Sequence, residues 1–342
     1  MKTIKYIGVV CAATMFAAAL SAQTYSLTKL VSSQSGVATF TDPNLVNPWG
    51  LAASGTNPWW VSDNASGLST LYNGEGDIQS LVVTIPPAPS GTAPAGSPTG
   101  IVANSTSGFG GGFFLFDTED GTIQSWTGAS SSAVVVDKGP VAVYKGLAMA
   151  QMGSVDVLYA ANFRTGKVEA YDTNFNPITL AAEAFTDSKL PAGFAPFNIQ
   201  PIGSDLYVAF AQQDASRHDA TVGAGLGYVD EFDTNGKLLM RLQHGNYLNA
   251  PWGIALAGSN FGSVSGDLLV GNFGSGTIIA FNPTTGKAIG ALTNSSNKAI
   301  AIPGLWALAF GQGGNNGPTD WLYFTAGGKN QEFGLFGFLA PQ

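Results

Sequence analysis

Thiols are almost missing from this sequence, whose 342 residues include a single cysteine, Cys11. That scarcity excludes a disulfide framework and any thiolate metal centre. Histidine is nearly as rare, with only His218 and His244, and no Gly-x-Ser-x-Gly elbow occurs. A serine hydrolase is thereby argued against, and no catalytic set is recognisable. Charged residues make up 11% of the chain and leave a net charge of -8. Such a surface repels nucleic acid and anionic lipid. An uninterrupted apolar run of the roughly 20 residues that a membrane span needs is absent as well.

The longest apolar stretch, 7–20, follows Lys2 and Lys5 and precedes the small residues Ser21 and Ala22. This order of charge, short apolar core and small residues predicts a signal peptide over 1–22, cut near Ala22. Val10 precedes Cys11 where lipidation requires a small residue, so the thiol is expected to leave with the leader. Without Lys2 and Lys5 the net charge becomes -10. The expected product is extracytoplasmic, periplasmic or secreted, with 23–342 as one domain.

What the chain has in abundance is glycine, 45 residues of it, and a repeat. Six short apolar segments align: Trp49-Gly50-Leu51-Ala52, Thr99-Gly100-Ile101-Val102, Lys145-Gly146-Leu147-Ala148, Phe197-Asn198-Ile199-Gln200, Trp252-Gly253-Ile254-Ala255 and Trp306-Ala307-Leu308-Ala309. Their spacing of 46 to 55 residues is the length of one four-stranded propeller blade. Each is followed by a second apolar strand and then by a third with period-two alternation, as in Lys167-Val168-Glu169-Ala170-Tyr171. Turns such as Asp233-Thr234-Asn235-Gly236 supply the positive φ that hairpins need. The pattern predicts an all-β, six-bladed propeller. Its last unit lacks room for a fourth strand, and residues 25–31 are expected to supply it and close the ring.

Asn249-Ala250-Pro251-Trp252-Gly253-Ile254-Ala255, with Leu268 to Asn272 and Gly276 to Phe281 behind it, resembles an NHL-type propeller repeat. Asn47-Pro48-Trp49-Gly50-Leu51-Ala52 repeats the match in the first blade. Over its whole length the chain also resembles a family of secreted bacterial propellers of unestablished activity. Related propellers include lactonases and lyases as well as binding scaffolds, so the resemblance implies a fold and leaves the activity open. Calcium is the one cofactor it brings into view.

Topology singles out one face. The starts of the inner strands, the turns between second and third strands and the connections between blades fall on the same side. That side gathers the Pro-rich stretch 86–98, the connection 184–196 and the loop 212–225, which holds Asp214, Arg217, His218 and Asp219. Loops of that length are functional or solvated. The ligand-face candidates are Trp49, Phe197, Trp252 and Trp306 at the strand starts, with Asp63, Asn64, Asp117, Asn162, Arg164, His218 and Asn272 nearby. The aromatics suit a sugar or peptide, and packing between blades accounts for them equally. Asp117, Glu119 and Asp120 resemble a fragment of a calcium loop, although Asp-Gly turn chemistry also explains that run.

Two functions fit these features. The first is a non-catalytic, monomeric scaffold that binds a protein or glycan at the cell envelope through the loop-rich face and channel mouth, with no cofactor. The alternative is a calcium-dependent lactonase or lyase with oxygen ligands from Asp63, Asp117, Asn162 or Asn272.

Overall fold

A computed structural model describes residues 23–342; the signal peptide expected over 1–22 lies outside the described residues. The strands form six sheets that follow one another around a ring. Blade one contains Pro48–Ala52, Trp59–Asp63, Leu68–Tyr72 and Val83–Thr84. Blade two contains Pro98–Ala103, Phe114–Thr118, Thr122–Trp126 and Ala133–Asp137. Blade three contains Tyr144–Met152, Val155–Asn162, Lys167–Tyr171 and Pro177–Ile178. Blade four contains Phe194–Ile202, Asp205–Gln213, Gly227–Phe232 and Leu238–Arg241. Blade five contains Pro251–Leu256, Leu268–Asn272, Ile278–Phe281 and Ala288–Ala291. Blade six combines Leu305–Phe310, Leu322–Ala326 and Leu335–Pro341 with Tyr25–Ser32. The protein is an all-β, six-bladed propeller, and each aligned segment of the sequence opens an inner strand.

Strand composition explains the stacking. Second strands such as Trp59–Asp63, Phe114–Thr118 and Leu268–Asn272 are buried at every position because both of their faces meet neighbouring blades. The outer strand Ala133–Asp137 has one face in solvent and alternates exposed with half-buried residues. Six apolar clusters follow, one between each pair of adjacent blades. A seventh, built on Trp49, Phe197, Trp252 and Trp306, lies on the axis.

The ring closes as the repeat predicts. Tyr25–Ser32 pairs antiparallel with Leu335–Pro341, from Tyr25 opposite Pro341 to Ser32 opposite Leu335. Tyr25, Leu30 and Val31 are buried, and the Tyr25 hydroxyl donates to the Phe261 carbonyl at 3.0 Å. The Gln342 N–H meets the Thr24 carbonyl at 2.9 Å, so both ends of the described chain share one sheet. Among the described residues, no helix is long and apolar enough to cross a membrane.

Candidate functional site

In all six blades the pairing between inner and second strands shifts register within the first residues of the inner strand. Such a bulge re-aims side chains at the end of a sheet. In four blades the bulge contains a glycine, because the next inner strand lies directly against it. A Cβ on Gly50 would stand 2.5 Å from the Thr99 carbonyl oxygen, and one on Gly253 would stand 2.5 Å from that of Trp306.

The residue before that position forms a ring around the axis: Trp49, Thr99, Lys145, Phe197, Trp252 and Trp306, each no more than 4% exposed. Trp49 stacks on Trp306 with centroids 3.5 Å apart, and Trp252 meets both edge-on at 6.0 Å. Phe163 packs on Phe197 and Phe273 on Trp306, which widens the plug. The Trp252 indole N–H donates to the Lys145 carbonyl at 2.8 Å and that of Trp306 to Asn47 at 3.1 Å. Packing against one another is therefore what the four aromatic candidates do, and their faces are not presented to solvent.

Lys145 is the one charged member of the ring. Its ammonium lies 5.0 Å from the Trp49 ring centroid and 5.9 Å from that of Phe163. Glu119, on the turn after Phe114–Thr118, accepts a hydrogen bond from it, and Asp219 of the blade-four loop stands 3.6 Å away. Burying an ammonium costs several kcal/mol, which two carboxylates and two ring faces offset.

Around this pair the side chains are linked in series across five blades. Asn47 donates to Gln331 at 3.2 Å and to Asn64 at 3.1 Å; Asn64 donates to Glu119 at 2.9 Å. Glu119 takes Lys145, Lys145 faces Asp219, and Asp219 meets His218 at 3.0 Å. The hydrogen bond to Asp219 raises the His218 pKa, and the same bond lowers that of Asp219. The loop over 212–225 is no free excursion. Ala220–Thr221 pairs back onto Asp205–Gln213, and one Asp214 oxygen accepts the N–H groups of His218 and Asp219.

Other candidates have different positions. Asn162 binds the Val143 N–H at 3.3 Å and donates to Glu169, while Asn272 accepts the Asn249 N–H at 2.8 Å. Both pin an incoming connection to the end of a second strand. Arg164 donates to the Pro140 carbonyl at 3.0 Å. Asp63 and Asp117 are fully buried; burial drives the carboxyl of Asp63 well above its ordinary range and that of Asp117 up to about 7. Asp117 accepts the Thr99 hydroxyl and the Gly100 N–H inside the blade-two bulge. Asp120 instead holds the Ala88 and Ser97 N–H groups. Asp117, Glu119 and Asp120 thus face three different partners and do not converge.

The acidic cluster the structure does assemble is Glu119, His218 and Asp219, with ligand atoms within 4.8 Å of one another. A divalent cation does not fit there, because the Lys145 ammonium already stands against both carboxylates. Lys145, Asn47 and Gln331 were not among the sequence candidates. The repeat alignment carried a signal for the first: the column holding Trp, Thr, Phe, Trp and Trp in five copies holds Lys in the third.

No family model matches the chain. Two curated proteins of Acanthamoeba polyphaga mimivirus, both uncharacterized, are similar to it. One is 33% identical over 303 residues, covering 84% of this chain and 74% of its own length. The other is 31% identical over 337 residues, covering 92% and 86%. The chain belongs to one family with these viral proteins. The kinship shown is viral, and the bacterial setting expected from the sequence finds no support in it.

Solved structures at 11–13% identity share the fold. They include a structural genomics protein of unknown function from Bacteroides thetaiotaomicron, with a TM-score of 0.60 over 94% of this chain and 77% of that one. A streptogramin B lyase gives 0.54 over 94% and 98%, and the virginiamycin B lyase of Staphylococcus aureus 0.52 over 92% and 99%.

Proposed function

We propose that the protein is an exported, non-catalytic binding propeller that presents the face above the aromatic plug to a protein partner. The carrying observation is the closed axial mouth: six ring residues at most 4% exposed leave a rim where a substrate cavity would otherwise open. A rim recognises by contact, whereas catalysis on a small substrate calls for a concave, water-excluding site. The rim combines the acid Asp219 and the amide Gln331 with the exposed apolar side chains Val141, Val222 and Phe333. That mixture fits a protein surface. A glycan is less well served, since the tryptophan faces on which a sugar would stack are used within the plug.

The lyase reading draws on the two lyase neighbours and on the cluster of Glu119, His218 and Asp219. Lys145 weighs against its metal-dependent form. Export rests on the order of residues 1–22, and a mature amino terminus at Gln23 is its direct test. For binding, envelope proteins and glycans are immobilised and probed with the wild type and with a variant carrying Asp219→Ala, Gln331→Ala and Phe333→Ala. Saturable capture of a protein that the variant loses supports this reading; equal capture by both forms removes it.

A further inference from the structure

Blade three is built differently at its outer edge. Its fourth strand, Pro177–Ile178, pairs only with Ala170 and Tyr171 at the end of the third strand, whereas the equally short Val83–Thr84 of blade one pairs with Leu68 and Ser69 at the start of its own. Elsewhere the chain continues alongside the third strand or the turn before it. The Leu292 N–H meets the Ile278 carbonyl at 2.9 Å and the Leu242 N–H meets that of Val229 at 3.0 Å. The turn glycines are likewise engaged, Gly67 by the Ile85 N–H at 2.9 Å, Gly121 by that of Lys138 at 2.9 Å and Gly276 by that of Ile302 at 2.9 Å.

In blade three the corresponding acceptors are the carbonyls of Gly166 and Val168. Neither receives a donor from any described residue, because after Ile178 the chain turns away and Phe185 bonds to Gly236 of blade four. What remains beside this edge is a groove of about 360 Å3, floored by Ile178, Leu180 and Ala184. Lys138 and Lys167 stand exposed on its rim. The groove's own carboxylate, Glu169, is already taken by Asn162, Tyr144 and Tyr171.

We infer that this open edge is a second binding site, which takes an extended acidic peptide segment as an added strand beside Gly166 and Val168, where the fourth strand Pro177–Ile178 does not reach. Unpaired carbonyls in register offer main-chain hydrogen bonds to an added strand, and alternate side chains of that strand would enter the apolar floor. The two lysines, on a chain whose net charge is -8, set the preference for acid. Val168 is the residue to alter: its outward N–H and carbonyl serve the edge, so Val168→Pro removes the outward donor and crowds the groove while sparing the bonds to Val155–Asn162.

The probe is a blocked octapeptide of alternating glutamate and valine. It is compared with its lysine–valine counterpart and with a form N-methylated at alternate residues, by fluorescence anisotropy and amide hydrogen exchange. The expected result is binding of the acidic peptide with slowed exchange at Val168. Affinity should be at least about tenfold weaker for either other peptide, for Val168→Pro and for Lys138→Glu/Lys167→Glu. Equal binding of acidic and basic peptides, undiminished binding of the N-methylated form, or no binding of the acidic peptide to the wild type overturns the inference. The peptide comparisons use wild-type protein, so the test holds if Val168→Pro fails to fold.

Discussion

Lys145, on the inner strand of blade three, donates a hydrogen bond from its ammonium to the Glu119 carboxylate, on the turn of blade two. This contact joins the only charge in the axial ring to the series of side chains that runs over the plug. Its carboxylate partners, Glu119 and Asp219, come from the two blades that flank blade three, so it ties three consecutive blades together around the ring.

Removing the ammonium alone leaves Glu119 in a nearly closed site without its cation. Lys145→Met is expected to destabilise the fold by about 3 kcal/mol, as the loss of one member of a buried pair does. The double change Lys145→Met/Glu119→Gln should recover at least half of that. Urea denaturation of the two variants reads the difference, and a double variant no more stable than the single one would count against the pair.

Asp117 and Asp230 give stability a pH dependence of definite sign. Burial raises both carboxyls to about 7, and for Asp230 the neighbouring Asp187 adds to the effect. Between the ordinary carboxylate range near 4 and pH 7 the unfolded chain releases protons that the folded chain retains. Stability therefore falls as pH rises through that window, by up to about 1.4 kcal/mol per pH unit for each group. His218, with its pKa raised by Asp219, acts in the same direction as pH passes its folded value. Asp117→Asn and Asp230→Asn should flatten the slope, measured by denaturation at a series of pH values.

The bulge glycines are set by the narrowness of the axis. Gly50→Ala and Gly253→Ala each push a methyl against the neighbouring blade's backbone. Each is expected to cost about 1–3 kcal/mol, as overpacking does. At Gly36 a Cβ meets no neighbour, so Gly36→Ala carries only the cost of its positive φ, about 1 kcal/mol. Melting temperatures should rank the three accordingly.

Deleting Tyr25–Ser32 removes three buried apolar side chains and exposes the edge of Leu335–Pro341. At about 1.5–3 kcal/mol each, their loss should lower the melting temperature by roughly 10 °C or more. An unchanged value would contradict ring closure by the first strand.

Much of this architecture is legible in the residues because a propeller repeats. Six apolar segments at near-constant spacing locate the inner strands, and the short last unit beside the unassigned residues 25–31 implies the closing strand. The site is less legible. Asp117, Glu119 and Asp120 are near neighbours in the chain, yet only Asp117 lies in the strand Phe114–Thr118 and the other two lie on the turn that follows, so one enters the bulge, one reaches Lys145 and one holds the connection that enters blade two. Pairing between Lys145 and Asp219 joins residues 74 positions apart through the fold of a single loop, which no local pattern encodes. The tryptophans read as ligand platforms from the sequence because stacking on a sugar and stacking on each other ask for the same residues.

The closed axial mouth is the claim on which the functional reading rests, and amine labelling of the folded protein followed by mass spectrometry tests it most directly. Lys138 and Lys167, both exposed, should be acetylated readily while Lys145 stays unmodified until the protein is unfolded. Labelling of Lys145 at the rate of those two lysines would show an open mouth and contradict the account.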